Sequence, residues 1–337
     1  MMKDEYLKAI SFLKNRYEKV WETVDWLGYP IVAFWACGRE DPPIVITAGA
    51  IGGTQATVYA AFELILSLNY EKKIVVIPAR DPVGFHNLNN ILFRMFKKKI
   101  DVITQLIDLI EEEGGKILIN QENFFLGIIR NIGFAFHKDY SRRYPRRFAT
   151  LLKETLVKNN LIEELDGTRI LFPFSKSMNA EEAKIFTFYV NKGGVTDYDY
   201  FSGQDEIIPE VYSLKSFLNQ ISPSLVIDLQ EHEGEHIKIG VNNREENIIA
   251  SLKLALSQIS EDNTEESNIE GENSVNTENR IYLVEEGSNT LIDYMRNKNI
   301  TGISLSTPLD MSLEKKIETL VTLCKSLINI FALISLI

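Results

Sequence analysis

Apolar positions along the chain fall into two patterns, which are short continuous runs and longer stretches with apolar residues every three or four positions. The short runs, rich in β-branched residues, cover 31–36, 44–48, 73–78, 224–230, 237–241, 281–284 and 302–305. Helical spacing covers 4–24, 54–68, 209–221, 245–259, 287–298 and the chain after Ser312. Continuous apolar runs predict strands buried on both faces. Their alternation with helices predicts an α/β fold with a doubly wound, mixed, mostly parallel sheet and helices on both faces.

The segment 88–190 has a different character from the rest of the chain. Helical patterns such as 102–113 and 148–159 alternate there with basic clusters and aromatic residues. We expect the 337 residues, 45% of them apolar, to form a single α/β domain over 1–337 with a mainly helical insertion at 88–190. Residues 260–280 are acidic, rich in Asn and Ser, and hold almost nothing to bury, which predicts a flexible loop.

Charge and cysteine content exclude several classes of protein. The chain has 36 basic and 47 acidic residues, a formal net charge of −11, which disfavours general nucleic-acid binding. Its two cysteines, Cys37 and Cys324, form no metal-binding pattern and indicate free thiols in a reducing compartment. Lysines before Ser326 keep the last apolar run too short to cross a bilayer. We expect a cytoplasmic protein with no membrane association.

The most informative stretch is the glycine turn, residues 49–54, which joins the strand 44–48 to a helix. Turns at the carboxyl ends of buried strands build the ligand sites of open α/β sheets. Ile51 and Thr54 stand where such a turn could carry a metal ligand or a base, and neither residue type ligates zinc. The turn could also cradle a phosphate at the helix N-terminus, but it lacks the Gly-Lys-Ser/Thr and G-x-G-x-x-G patterns, which favours a tight turn.

Several turns, taken in order, resemble the zinc carboxypeptidase family, including its succinylglutamate desuccinylase and aspartoacylase branch. The family motif Gly-x-His-Gly-x-Glu corresponds to 49–54, and the Asn-Pro-x-Gly turn to 81–84. Asp-Leu-Asn-Arg corresponds to 197–200, followed by Phe201 and by Pro209-Glu210 at a helix start. Asp-Leu-His corresponds to 228–230 and Leu-Glu-Thr-Pro to 305–308. The resemblance implies a zinc-carboxypeptidase-like fold over 28–86, 191–242 and 281–330.

The zinc ligands of the family do not carry over to this chain. The resemblance places them on Ile51, Thr54 and Gln230, none of which is a normal zinc ligand. An alignment slip could hide one ligand, but the surrounding glycines and prolines hold the register for the set. We therefore expect no metal and no cofactor.

The substrate-binding and catalytic positions are also substituted. The resemblance places the substrate-clamping arginine on Tyr200, its asparagine neighbour on Asp199 and the general base on Ser306. It implies a catalytically degenerate protein, a pseudoenzyme, with no catalytic residue. Its former active-site positions could still bind a peptide, a protein or a small acidic molecule, and the predicted ligand-binding residues are Ile51, Thr54, Asp199, Tyr200, Gln230 and Glu231.

The segment 231–236 is the strongest remaining chemical motif. His232, Glu233 and His236 match both H-E-x-x-H and H-x-x-E-H, which bind zinc when a helix brings two histidines together. Here the segment follows a strand and contains Gly234, so we expect a solvated polar loop. The alternative is an active zinc-dependent carboxypeptidase or amidohydrolase whose metal site was rebuilt from His232, His236 and Glu233.

Two further groups of charges could bind ions. Arg142, Arg143, Arg146 and Arg147 surround Tyr144 and Pro145, and arginine side chains bind carboxylate or phosphate in bidentate fashion. We weigh an anion- or partner-binding surface against a solvated face paired with acidic helices. Five acidic residues could also meet at the mouth of the site and hold Mg²⁺ or Ca²⁺, namely Asp81, Asp197, Asp199, Asp228 and Glu231.

Overall fold

The computed structural model describes residues 4–138, 146–175, 177–203, 207–232, 234–259 and 280–334. The helices described are α1 (Glu5–Lys14), α2 (Gln55–Ser67), α3 (Leu88–Phe96), α4 (Leu106–Glu112), α5 (Arg146–Lys158), α6 (Pro209–Ile221), α7 (Glu246–Ser257), α8 (Leu291–Arg296) and α9 (Leu313–Ile334). The strands are β1 (Glu18–Val24), β2 (Pro30–Cys37), β3 (Glu40–Thr47), β4 (Lys72–Ile77), β5 (Lys116–Asn120), β6 (Phe124–Ile129), β7 (Ile132–His137), β8 (Arg169–Phe174), β9 (Lys184–Asn191), β10 (Gly194–Thr196), β11 (Leu225–His232), β12 (Lys238–Val241), β13 (Ile281–Leu283) and β14 (Thr301–Pro308).

The main sheet has eight strands in the order β1-β2-β4-β3-β11-β14-β12-β13. Its four central strands, β4, β3, β11 and β14, run parallel, whereas β1, β2 and the β12–β14 pair are antiparallel. The carboxyl ends of the four parallel strands therefore meet at one edge of the sheet. The predicted mixed α/β fold is confirmed.

Both faces of the main sheet are covered by helices. Along β3, Ile44 and Ile46 pack with α1, α2, α7 and α9, while Val45 between them packs with α6 and α8 on the other face. This alternation explains the continuous apolar pattern of the central strands, because every side chain enters one of the two cores. Ser312 caps α9 as expected, since its Oγ accepts from the Lys315 amide.

The prediction of a mainly helical insertion at 88–190 is wrong in its secondary structure. The segment contributes α3, α4 and α5 but also β5 to β9, which with β10 form a second sheet in the order β10-β9-β8-β7-β6-β5. These strands are short and rich in phenylalanine and β-branched residues, which favour a pleated, buried surface. One face of the second sheet shares the main core, and the other packs against α5.

Two other predictions concern the segments 4–24 and 260–280. The helical spacing over 4–24 predicted one helix, but α1 ends at Lys14. Residues 18–24 instead form β1, an edge strand paired with β2. The acidic segment 260–280 lies outside the described residues except for Arg280, so the predicted flexible loop remains a prediction. No described helix combines the length and apolar composition that a bilayer crossing needs.

Candidate functional site

The carboxyl ends of β3, β4, β11 and β14 bring the predicted site residues to one edge of the main sheet. Thr47, the last residue of β3, is in register with Asp228 of β11, and Gln230 is in register with Ser306 of β14. The glycine turn leaves β3 at this edge and leads into α2. Sequence-distant turns are therefore neighbours at the place where α/β folds bind ligands.

Arg80, three residues after the end of β4, lies at the centre of a buried polar cluster at this edge. We call it the Arg80 network, and its members are Thr47, Arg80, Asp199, Asp228 and Gln230. Nη2 of Arg80 donates to Oδ2 of Asp228 at 2.8 Å and to Oδ1 of Asp199 at 3.2 Å. Nη1 donates to the carbonyl oxygen of Tyr198 at 3.2 Å. A buried guanidinium thus forms ion pairs with carboxylates from two separate parts of the chain.

Asp228 is fully buried and receives hydrogen bonds on both oxygens. Thr47 Oγ1 donates to Oδ1 at 2.6 Å, and Gln230 Nε2 donates to Oδ2 at 2.7 Å, beside Arg80. Burial raises the pKa of the Asp228 carboxyl above its ordinary value, while the Arg80 guanidinium acts in the opposite direction. Both oxygens of Asp228 are therefore bonded to groups within the protein.

The glycine turn is covered by the second sheet. A Cβ atom on Gly52 would lie 1.7 Å from the carbonyl oxygen of Ile185 in β9, so only glycine fits beneath this strand. Ile51 packs against the phenylalanine-rich core of the second sheet, and Thr54 Oγ1 donates to the Ile51 carbonyl at 2.5 Å. A space of about 30 Å³, enough for one water, remains between the turn and β9.

Ile51, Thr54 and Gln230 do not fit a zinc ion. Zinc is held by thiolate, imidazole or carboxylate groups, and Ile51 has no donor atom in its side chain. The Thr54 hydroxyl binds backbone, and the Gln230 amide donates to Asp228. The arrangement also places the positive charge of Arg80 beside Asp228, which disfavours a second cation there.

Tyr200 and Ser306, two further predicted site residues, pack within the protein. Tyr200 is half-buried and packs with the core formed by α6 and α8. Ser306 is buried within β14, opposite Gln230 on one side and Lys238 of β12 on the other. Of the predicted ligand-binding set, Asp199 and Gln230 therefore meet in one cluster, the Arg80 network.

Glu231 faces a cation that sequence reasoning missed. Lys316, in the first turn of α9, donates to Glu231 Oε2 at 2.5 Å, and both side chains are buried. Nearby, burial lowers the pKa of Lys184, and the negative charge of Glu231 acts in the opposite direction. A carboxylate expected at the rim of the site thus forms an internal ion pair.

The expectation of a solvated polar loop is wrong at its start. His232 is the last residue of β11, is buried, and its Nδ1 lies 3.2 Å from the Thr307 carbonyl oxygen. β11 extends two residues beyond the predicted strand because its pairing with β14 continues to Pro308. Glu233 lies outside the described residues, and the described part of 231–236 contains no helix.

Metal ligation also requires several donors around one point. His236 is partly buried, and no group of three His, Cys, Asp or Glu side chains in the described ranges is placed to hold a metal ion. The rebuilt zinc site and the acidic cluster for Mg²⁺ or Ca²⁺ therefore gain no geometric support from these ranges.

The predicted anion-binding arginines cannot be placed on a surface. Arg142 and Arg143 lie outside the described residues. The backbone of Arg146 and Arg147 forms the start of α5, and their side chains are not among the described parts of the structure. The anion-binding surface stays a prediction.

A second buried polar group adjoins the site. Burial raises the pKa of Asp81 well above its ordinary value, and Asp25 and Glu210 act in the same direction. Burial also raises the pKa of Asp25 to about 7. Arg169 pairs with Glu210 through Nη2, at 2.8 and 2.7 Å from its two oxygens. All three carboxyl groups, those of Asp25, Asp81 and Glu210, are buried and have little contact with solvent.

Sequence reasoning missed Arg80, Thr47 and Lys316. Arg80 did carry a signal, since a charged residue stood soon after a buried strand and before the 81–84 turn. Its partners Asp199 and Asp228 lie 119 and 148 positions away along the chain. The pairing depends on tertiary structure, and local patterns could not supply it.

Comparison with known proteins defines the fold. No family model and no curated protein sequence matches the chain. A candidate metallopeptidase from Shewanella denitrificans OS217 superposes with a TM-score of 0.53 at 9% identity, over 96% of this chain and 88% of that one. Another from Shewanella amazonensis SB2B gives a TM-score of 0.48 at 12% identity, over 96% and 91%. Murein-tripeptide amidase MpaA from Escherichia coli O157 gives 0.42 at 14%, over 90% and 88%.

The chain therefore has a metallopeptidase fold of the zinc carboxypeptidase type, as the motif resemblance predicted. At this level of identity, the likeness defines the fold alone.

Proposed function

We propose that this protein is a catalytically degenerate, carboxypeptidase-like protein that binds a peptide, a protein or a small acidic ligand. The observation that carries the proposal is the Arg80 network. Gln230 and Asp199, two positions that the resemblance assigns to zinc and substrate, are hydrogen-bonded to the buried Asp228–Arg80 pair. Side chains held in an internal network support the fold and are not presented to a substrate.

The chemistry of the remaining positions supports the same proposal. Metal-assisted hydrolysis uses a zinc-activated water and a proton acceptor beside it. Ile51 and Thr54 supply no zinc ligand, and Ser306 stands at the general-base position with a hydroxyl that is a poor base at neutral pH. The closing of the glycine turn under β9 further restricts access to this edge.

A binding role is supported by an open cleft next to the covered turn. We call it the α1–α3 cleft. It has a volume of about 1050 Å³, and its lining includes Tyr29, His86, Phe93, Lys97, Glu182 and Lys184. Its size is at the upper end of the range typical of small-molecule sites.

A hydrolysis assay tests the proposal. Purified protein with added zinc is incubated with peptides and N-acyl amino acids, and release of free amino acid is measured. We expect no turnover above that of buffer. Zinc-dependent turnover that His232→Ala abolishes and His137→Ala, a histidine of the second sheet, retains would overturn the proposal in favour of a rebuilt metallohydrolase site.

A further inference from the structure

One short stretch of β9 contacts two turns of the main sheet. Its Ile185 carbonyl oxygen lies over the glycine turn, 1.7 Å from where a Cβ atom on Gly52 would stand. Ile185 enters the main core and Phe186 the core of the second sheet, so Thr187 faces the main sheet again. There the Thr187 hydroxyl is close enough to Asp81, in the turn after β4, to favour the charged form of its carboxyl. We call this arrangement the closed state.

The two turns beneath β9 are bonded to each other. The Asp81 amide donates to the Gly49 carbonyl at 2.7 Å, and the Gly53 amide donates to the Gly84 carbonyl at 2.9 Å. A Cβ atom on Gly84 would lie 2.5 Å from the Cα atom of Gly52 and 2.8 Å from Oδ2 of Asp81. Because the backbones are in such close contact, a change at the Asp81 carboxyl also affects the glycine turn.

Asp81 belongs to a buried cluster with more acidic than basic groups. We call it the carboxyl cluster, and its members are Asp25, Asp81, Glu210 and Arg169. Nη2 of Arg169, in β8, donates to both oxygens of Glu210, in the first turn of α6. Within the described ranges, no ion pair is formed by Asp25 or Asp81. The one cation of the cluster is therefore committed to one of its three carboxyl groups.

Each of the two aspartates leaves one carboxyl oxygen without a hydrogen bond. Oδ1 of Asp25 accepts from the Leu27 and Tyr29 amides, and Oδ1 of Asp81 accepts from the Gly84 amide. Oδ2 of each aspartate is buried and has no hydrogen-bond partner in the part of the chain that the structure describes. A buried carboxylate without a cation is costly, so the closed state suits protonated carboxyl groups.

The electrostatic surroundings act in the same direction. Burial raises the pKa of Asp81 well above its ordinary value, and the charges of Asp25 and Glu210 raise it further. Burial also raises the pKa of Asp25 to about 7, again with Glu210 in the same direction. Both aspartates therefore hold a proton in the closed state at mildly acidic pH.

Other charged and titratable side chains face the two aspartates. The charge of Arg94 lowers the pKa of Asp25, although no ion pair joins them in the described ranges. Arg80, adjacent to Asp81 in sequence, pairs with other carboxylates in the Arg80 network. The titratable neighbours are three buried tyrosines, Tyr6, Tyr29 and Tyr198. Burial raises the pKa of each tyrosine, so all three stay neutral while the aspartates titrate.

β9 is the weakly held side of this arrangement. In the described ranges, no backbone hydrogen bond joins residues 185–188 to the 49–54 or 81–84 turns, and Oγ1 of Thr187 has no hydrogen-bond partner. Asp81, by contrast, is fixed to the main sheet by its own amide and by the Gly84 amide. Repulsion inside the carboxyl cluster is therefore relieved most easily by movement of β9.

We propose that Asp25 and Asp81 form a proton-operated latch that holds β9 closed over the glycine turn. When the two carboxyl groups lose their protons, two buried negative charges face Glu210 without a cation of their own. The contact of β9 with the turns then opens, and water reaches the carboxylates. Opening exposes the former active-site edge, so access to that edge increases as pH rises. This inference goes beyond the proposed function, because it holds for any ligand.

Hydrogen–deuterium exchange followed by mass spectrometry tests the latch. Protection factors, which are corrected for the intrinsic exchange rate at each pH, are measured between about pH 5 and pH 8. Once water reaches an aspartate its pKa returns to about 4, so opening becomes up to about tenfold more frequent per pH unit until the closed-state pKa is reached. We expect protection of residues 185–188 to fall by about tenfold or more over this range.

The double variant Asp25→Asn/Asp81→Asn should remove this decline, because asparagine accepts the same amide hydrogen bonds and does not titrate. Asp101→Asn/Asp166→Asn, at two exposed aspartates, is the matched control and should retain the decline. Asp25→Asn alone should remove part of it, and this variant serves if the double variant does not fold.

Exchange in the central strand β11, residues 225–229, distinguishes opening of β9 from unfolding of the whole protein. We expect residues 185–188 to exchange at least about tenfold faster than residues 225–229 at every pH. Equal protection of the two strands, constant protection of β9 in the wild type, or the same decline in the wild type and the Asp25→Asn/Asp81→Asn variant would each overturn the inference.

Discussion

The guanidinium of Arg80 lies 2.8 Å from the carboxylate of Asp228, and the two side chains are 1% and 0% exposed. Arg80 follows β4 and Asp228 lies in β11, with β3 between them in the sheet. The pair therefore links three strands at the edge where the fold would otherwise present ligands. Taking two charges out of water is costly, and the hydrogen bonds from Thr47 and Gln230 help to offset that cost.

Arg80→Met should destabilise the protein by about 3–5 kcal/mol, because it leaves the Asp228 carboxylate buried without its cation. Urea unfolding monitored by circular dichroism measures the change. Arg39→Met, at an exposed arginine, serves as the control and should change stability by less than about 0.5 kcal/mol. Adding Asp228→Asn to Arg80→Met should recover part of the loss. Equal stability of Arg80→Met and wild type would refute a structural role for the network.

Two lysine–glutamate pairs that differ in burial, Lys316–Glu231 and Lys116–Glu164, should respond differently to the same change. Lys316→Met leaves Glu231 buried and unpaired, so we expect a loss of about 3–5 kcal/mol. Lys116→Met breaks the exposed pair with Glu164 and should cost less than about 1 kcal/mol. Chemical denaturation of both variants provides the comparison, and similar losses would show that burial of the Glu231 pair has little energetic effect.

Gly52→Ala should destabilise the contact between the two sheets. The added methyl would lie 1.7 Å from the Ile185 carbonyl oxygen, so backbone must move, at a cost of about 3 kcal/mol or more. Gly114→Ala is the control, because no atom lies within 4 Å of the added methyl and its cost of about 1 kcal/mol comes from a left-handed φ of +72°. Thermal unfolding of both variants measures the two losses of stability. Equal losses would contradict the close cover of the glycine turn by β9.

Asp25 should make stability depend on pH. Its Oδ1 accepts from the Leu27 and Tyr29 amides, and burial raises its pKa from 3.8 to about 7. Because the folded-state pKa lies above the unfolded value, the folded state holds the extra proton, and this group's contribution is lost as pH rises from about 4 to about 7. At 1.36 kcal/mol per pKa unit, the upper limit is about 4 kcal/mol.

Asp25→Asn mimics the protonated carboxyl and keeps both amide hydrogen bonds. Its stability relative to wild type should therefore rise between pH 5 and pH 8, in denaturation curves measured at about one-unit intervals. Asp101→Asn, at an exposed aspartate, provides the control and should show little change in its difference from wild type. A constant difference between Asp25→Asn and wild type across this range would show that Asp25 does not titrate as described.

The central part of the fold was predictable because its signals are local. Continuous apolar runs identified β3, β4, β11 and β14, and helical spacing identified α2 and α6 between them. The second sheet escaped prediction because its strands are short and lie between real helices such as α4 and α5, whose periodicity dominated the segment. β1 was missed for a similar reason, since Tyr17, Val20 and Trp21 also fit a helical repeat.

The site was only partly predictable. The motif frame placed Asp199 and Gln230 at one site, and Gln230 Nε2 lies 3.5 Å from Asp199 Oδ2 in the structure. The partners that determine their role, Arg80 and Asp228, are fixed by contacts across the sheet, and the burial of Glu231 depends on α9. Such pairings follow from tertiary packing, and spacing along the chain does not encode them.

The central claim, that the former metal site no longer functions as one, is tested most directly by zinc content. The purified protein is dialysed against excess zinc and then against buffer, and retained zinc is measured by mass spectrometry. We predict far less than one zinc ion per chain, because Ile51, Thr54 and Gln230 do not fit the ion. Retention of one zinc ion per chain, lost on His232→Ala or His236→Ala, would contradict the account.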